Sequence, residues 1–175
     1  DQFVSVLGNQ NEALFLNTAN RNYELIPIFK DYKFVIIDSN TQRILSDSNF
    51  NQKKELCYSA AKNMNVENLC VKSKIDEHDI QSLSDDELSV SKHVIEENIR
   101  VVKAAQFLKS NGAEEFGKLM TESHMSLSKY YKVSTLELDK LVDLANSFGA
   151  LGSKLTGAGF GGAIVTLVKK ELVEE

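Results

Sequence analysis

The chain has no tryptophan, one proline, two cysteines and three histidines, and its longest apolar run falls well short of the roughly 18 residues a membrane-crossing helix requires. A helical membrane protein is therefore excluded, and the chain reads as soluble. Cys57 and Cys70 lack CxxC and Cys/His ligand spacing, the pattern a zinc ribbon needs. They read instead as two buried or half-buried thiols of a reducing compartment, the cytoplasm. His78, His93 and His124 are scattered, with no His-x-x-x-His pair to hold a metal, so each reads as structural or surface-exposed. Basic clusters are scarce too. Lys and Arg number 20 against 25 acidic residues, for a net charge of −5, and the pairs Lys53-Lys54 and Lys169-Lys170 are too small to make a nucleic-acid surface.

What is present is enough apolar material for one real core: 175 residues, 42% of them hydrophobic. Short apolar or alternating runs at 13–16, 23–28 and 34–38, split by polar clusters, predict three strands, with Pro27 near a strand end where proline is tolerated. The period then changes. Leu56, Cys57, Ala60, Ala61 and Met64 recur at three and four, the mark of a helix with one buried face. Ser84-Asp85-Asp86-Glu87 reads as a capping box that opens a second helix, with Leu88, Val94, Ile95, Ile99, Val102, Ala105 and Leu108 on its face and Asn111-Gly112 at its end. A third helix carries Phe116, Leu119, Met120 and Leu127. A fourth opens at a second box, Ser134-Thr135-Leu136-Glu137, with the face Leu138, Leu141, Val142, Ala145, Phe148 and closure at Gly149. Residues 71–84 are polar and aperiodic and read as a surface loop.

Five of the nine glycines fall within the eleven residues from Gly152 to Gly162, in GSKLTGAGFGGAIVTLV. GAGFGG fits the letters of a dinucleotide fingerprint, but that motif needs a helix starting in its last glycines, and here a β-branched run follows. No Gly-Lys-Ser/Thr follows, so a Walker-type loop is excluded. The stretch predicts strand, glycine turn, strand. Either it is a plain hairpin using φ values that only glycine adopts cheaply, or it is a turn kept bare for a close-lying backbone or ligand. Strands, then four helices, then two strands describe an α+β chain. The strand from Phe34 and the pair around GAGFGG make three strands of a ferredoxin-like antiparallel sheet with a large helical insert. That fold needs a further helix and strand, and 170–175 reads as the start of the helix.

Taken in order, DQFVSVLG (1–8), ALFLNTANRNYELIPI, the strand ending Asp38-Ser39-Asn40, SNFNQKKELC (48–57), LMTESHMSLSKYYKVSTLELDKLV (119–142) and GSKLTGAGFGGAIVTL resemble the galactokinases of the GHMP small-molecule kinase superfamily across essentially the whole chain. The resemblance implies a C-terminal half that begins at the family's catalytic aspartate. Residues 1–33 would belong with an N-terminal sugar and nucleotide domain and 34–175 would form the GHMP C-terminal domain. Residue 1 is Asp rather than Met, and the residues after it read like the middle of an element, as expected of a piece of something longer.

By the same resemblance the activity is ATP-dependent phosphorylation of galactose to galactose 1-phosphate, inactive without the upstream half. Asp1 would be the base on the sugar hydroxyl and Phe50 would lie on the sugar side. Thr156, Gly157, Ala158, Gly159, Gly161 and Gly162 would lie beside the ATP phosphates. Mg²⁺ would be held by groups outside this chain, with no metal ligand within it. Phe50 departs from the usual tyrosine and matches N-acetylgalactosamine kinases, which keeps that substrate open as an alternative. A non-catalytic sugar-sensing regulator on the same fold is another. Lys53 and Lys54 stand where arginines are usual, and Ala158 and Ala163 replace a common glycine and cysteine.

Overall fold

The computed structural model describes residues 2–41 and 47–173, with the side chains of residues 47–50 outside the description. After α1 (Gln2–Leu7), the strands β1 (Glu12–Leu16) and β2 (Tyr23–Pro27) pair antiparallel from Glu12↔Pro27 to Leu16↔Tyr23. Asn17 closes their connection: its amide donates to Asn22 O at 2.8 Å, and its Oδ1 accepts from the amide of Ala19. A second sheet has the order β3-β5-β4, from β3 (Tyr32–Asp38), β5 (Ala163–Lys169) and β4 (Gly152–Thr156), all antiparallel. The three strands of the α+β reading thus meet as expected. The helices are α2 (Asp47–Asn63), α3 (Glu77–Ser82), α4 (Asp85–Lys109), α5 (Ala113–Ser126) and α6 (Leu136–Ser147).

Because successive strand residues face opposite sides, the two faces of the β3-β5-β4 sheet serve different partners. Ile37, Leu155 and Ile164 join Leu138 and Val142 of α6 in one cluster. Phe34, Val165 and Leu167 join Phe116 and Met120 of α5, with Phe29, in another. A third cluster unites Ala60, Ala61 and Met64 of α2 with Ile95 of α4. The Ser84 capping box is present, with Ser84 Oγ accepting from the amide of Glu87 and Glu87 Oε2 accepting from the amide of Ser84 at 2.9 Å.

Other expectations are corrected. The presumed loop 71–84 contains α3, too short to show a period, opened by a capping box between Asp76 and Asp79; Lys72 neutralises the buried Asp79. The cap of α6 is Thr135, one residue later than expected, because the Ser134 hydroxyl is engaged with Asp139 at 2.6 Å. Leu127 lies in a π-turn over Leu127–Tyr131 that follows α5. Val102 and Phe148, expected on buried faces, are exposed. Cys70 is exposed rather than half-buried, and both cysteines are free. After β5 the described chain makes one 3-10 turn, Lys170–Leu172.

At the α5–β4 contact two backbones meet with no room for a side chain. A Cβ on Gly152 would lie 1.7 Å from Gly117 O, and one on Gly117 would lie 2.4 Å from Leu151 O. Both contacts are with backbone, which cannot swing aside, so Gly152→Ala forces the helix off the strand. We expect a loss of about 2–3 kcal/mol and a Tm lower by about 5–10 °C, read by calorimetry. A change under about 1 °C would contradict the contact.

A buried histidine and a half-buried carboxylate make the fold acid-sensitive. Burial holds His93 neutral, down to about 4, against the raising effect of Glu97; its Nδ1 lies 2.9 Å from Ser126 Oγ. Glu97 is driven up by burial and further down by Lys154, Ser123 and Arg100, to about 2. For His93 the unfolded chain takes up its proton near pH 6.5 and the folded chain only near pH 4. Its contribution is therefore complete above about pH 6.5 and falls across that window by about 3 kcal/mol. Urea titrations at stepped pH should show the slope, and His93→Gln should remove most of it.

Candidate functional site

The site is built from the connection between β4 and β5. The ladder ends at Thr156↔Ala163, leaving Gly157 to Gly162 as the turn. Gly157, Gly159, Gly161 and Gly162 have φ of 78, 81, 112 and 86°, and Phe160, a non-glycine, has φ 58°. Four consecutive residues from Gly159 to Gly162 are thus left-handed, which costs Phe160 about 1–2 kcal/mol and persists only where the surroundings impose it.

Two segments do impose it. From the end of β3, the Ser39 amide donates to Gly162 O at 2.8 Å, the Ser39 hydroxyl donates to the same oxygen, and Thr41 O accepts from the amide of Gly162. From the other side, Val133 O accepts from the amide of Phe160 at 2.7 Å, and it would lie 2.3 Å from a Cβ on Gly159. Val133 is presented by the π-turn and by Lys132, held left-handed at φ 57°. Such π-bulges often mark functional sites. The glycines are therefore both a hairpin and a close backbone approach, so the two readings of the sequence coincide.

Behind the turn, the amides on the open edge of β4 are taken up by α5. Ser153 N donates to Thr121 Oγ1 and Leu155 N donates to His124 Nδ1, at 3.4 and 3.2 Å. His124 Nε2 lies 3.1 Å from Asp139 Oδ1, outside hydrogen-bond alignment. Asp139 accepts from Ser134 Oγ at 2.6 Å and from Ser128 Oγ at 3.0 Å. Burial lowers the pKa of His124 while Asp139 and Asp143 oppose it. To one side of this network the ring of Tyr131 packs against His93, with centroids 4.7 Å apart, and lies under Lys53 Nζ; burial raises its phenol to about 12.

Of the predicted site residues, Gly157, Ala158, Gly159, Gly161 and Gly162 lie together in this one pinned turn, and Thr156 is the last residue of β4 leading into it. Asp1 lies outside the described residues. So does the Phe50 side chain, although its backbone belongs to α2. His124 and Asp139 were missed as parts of the site. His124 lies one helical turn beyond the buried Met120, and that position on the buried face was the available signal. Among the described residues, Asp76, His78 and Asp79 bring possible metal-ligand atoms within 4.8 Å of one another, but these carboxylates already cap α3 and bind Lys72. A cavity of about 220 Å³ between the β1–β2 hairpin and α4–α5 is lined mainly by apolar side chains, with Glu97, Arg100, Ser123 and Lys154 as its polar members, and it includes none of the turn residues. No helix among the described residues is long and apolar enough to cross a membrane.

The model of the family described as GHMP kinases C terminal matches residues 104–175. The galactokinase of Thermotoga maritima is 37% identical over 97% of this chain and 48% of its own length, and that of Clostridium acetobutylicum is 38% identical over 100% and 47%. The chain thus spans about half the length of the curated relatives it matches. The crystal structure of Lactococcus lactis galactokinase complexed with galactose superposes with a TM-score of 0.86 at 30% identity, over 98% of this chain and 46% of that one. L. major mevalonate kinase, at 18% identity and TM-score 0.53 over 89% of this chain, shares the fold. Residues 104–175 thus match the C-terminal domain of the GHMP kinases, and nearly the whole chain is similar in sequence and fold to about half of a galactokinase.

Proposed function

We propose that the protein containing this chain is an ATP-dependent sugar kinase that converts galactose to galactose 1-phosphate, and that residues 1–175 supply one part of its active site. The observation that carries this reading is the match, at TM-score 0.86 over 98% of the chain, with a galactokinase complexed with galactose. The strained and doubly pinned turn supports it, since imposed left-handed backbone concentrates at ligand sites. In this reading residues 1–33 belong with the sugar and nucleotide domain and 34–175 form the GHMP C-terminal domain. The separation of the β1–β2 hairpin from the β3-β5-β4 sheet supports that boundary.

The chemistry follows from phosphoryl transfer, which asks for positioning and charge stabilisation more than covalent work. The carboxylate of Asp1 orients the C1 hydroxyl and takes its proton as the sugar oxygen bonds to the γ-phosphorus and ADP departs. Phe50 packs on the sugar side. Thr156, at the end of β4, and the turn residues Gly157, Ala158, Gly159, Gly161 and Gly162 bring backbone close to the triphosphate. A side chain on Gly159 would meet Val133, and the amides of Phe160 and Gly162 are already used to hold the turn's shape. Mg²⁺ supplies charge neutralisation on the phosphates and is bound outside residues 1–175. The free thiols fit a cytoplasmic setting.

Phe50, lacking a hydroxyl, favours a second substrate, N-acetylgalactosamine, on the same reaction. Coupled detection of ADP with each sugar separates the two, the larger kcat/KM naming the substrate. Failure to phosphorylate any sugar in the full-length protein would overturn the kinase reading and favour a non-catalytic sugar sensor. Gly159→Ala, placing a methyl 2.3 Å from Val133 O at φ +81°, should cut kcat/KM for ATP about tenfold or more while sugar affinity holds.

A further inference from the structure

We propose that His124 and Asp139 are positioning residues for the Gly157–Gly162 turn, and that through it they set the affinity for the nucleotide. This rests on the reading of that turn as nucleotide-proximal. One carboxylate approaches the turn along two routes, one to the strand end before it and one to its middle. Along one route, Asp139 Oδ1 lies 3.1 Å from His124 Nε2, and His124 Nδ1 accepts from the amide of Leu155 at 3.2 Å, two residues before Gly157. Along the other, Asp139 accepts from Ser134 Oγ at 2.6 Å, and the preceding residue, Val133, offers the carbonyl that holds the amide of Phe160 and abuts Gly159. Ser128 Oγ donates to the second oxygen of Asp139 at 3.0 Å and fixes the carboxylate.

Because Nδ1 is an acceptor, the ring is neutral with its proton on Nε2. Protonation would turn an N–H on Nδ1 against the N–H of Leu155 and release the strand end. The charged groups facing the ring are Asp139 and Asp143 from α6 and Lys154 from β4, the last paired with Glu97 of α4 at 3.1 Å. Burial outweighs the two aspartates and keeps the ring neutral down to a pH below its ordinary range. An edge cap with no bearing on the turn would change stability alone. A positioning pair changes affinity for one ligand and makes that change pH-dependent.

The test uses the protein as the cell makes it, with whatever sequence flanks residues 1–175. A fluorescent ATP analogue with Mg²⁺ and, separately, galactose are titrated between about pH 8 and about pH 5. His124→Ala and Asp139→Asn are expected to weaken nucleotide binding about tenfold with galactose affinity unchanged. His124→Asn, whose amide oxygen can still accept from Leu155, should restore most of that affinity. The triphosphate itself titrates, so the pH effect is read as the difference between wild type and His124→Asn. That difference should grow as pH falls. Wild-type nucleotide affinity in both of the first two variants, equal loss of both ligands, or no pH difference would overturn the proposal. If the wild type binds no nucleotide at all, the functional reading fails instead. The amide resonances of residues 157–162 then decide the positioning role: they move with His124 titration in wild type and not in His124→Asn, or the proposal falls.

Discussion

The closeness of two backbones, α5 against β4, governs the rest of the molecule. Gly117 and Gly152 face each other with no room for a methyl group between them. At that separation a helix can do for an edge strand what a neighbouring strand would otherwise do. Thr121 and His124, one and two turns beyond Gly117, accept from the outward amides of Ser153 and Leu155. Orphaned amides at that depth would each cost about 1–3 kcal/mol, so the contact organises β4 chemically as well as sterically. The hairpin turn inherits its position from that strand.

Charge on the other side of α5 follows the same logic. Glu97 of α4 meets Lys154 of β4 at 3.1 Å and the Ser123 hydroxyl at 2.6 Å, and Arg100 adds its Nε at 2.8 Å. A half-buried carboxylate with two cations and a hydroxyl is satisfied, and its low proton affinity reports that the partners outweigh desolvation. Lys154 and Leu155 are consecutive strand residues. One side chain anchors the strand to α4 on one face of the sheet, while the next amide anchors it to α5 at the edge.

Much of this was legible in the sequence wherever local rules and tertiary packing agree. The Ser84 box, the periodic faces of α2 and α4 and the β-branched run after the glycines each specify an element alone. The misreadings occur where a side chain has two possible employers. Ser134 is a fair cap by pattern, but Asp139 claims its hydroxyl and the cap passes to Thr135. Asp76 and Asp79 form a box in a helix too short to show a period. His124 gave no motif, because its partner is the amide of Leu155, 31 residues away. The turn itself was legible as glycine, but its neighbours Val133 and Ser39 were not, since only the fold brings them there.

Ser39 and Gly162 meet although they stand 123 positions apart in the chain. The loop-closure entropy of so distant a pairing must be met before β3 can lie against β5. The left-handed run at Gly159–Gly162, which has little intrinsic preference for its shape, is therefore assembled among the latest features of folding. During synthesis the helices can collapse on one another while the candidate ligand turn is still an unordered glycine tract, so ligand competence arrives only with closure of the sheet.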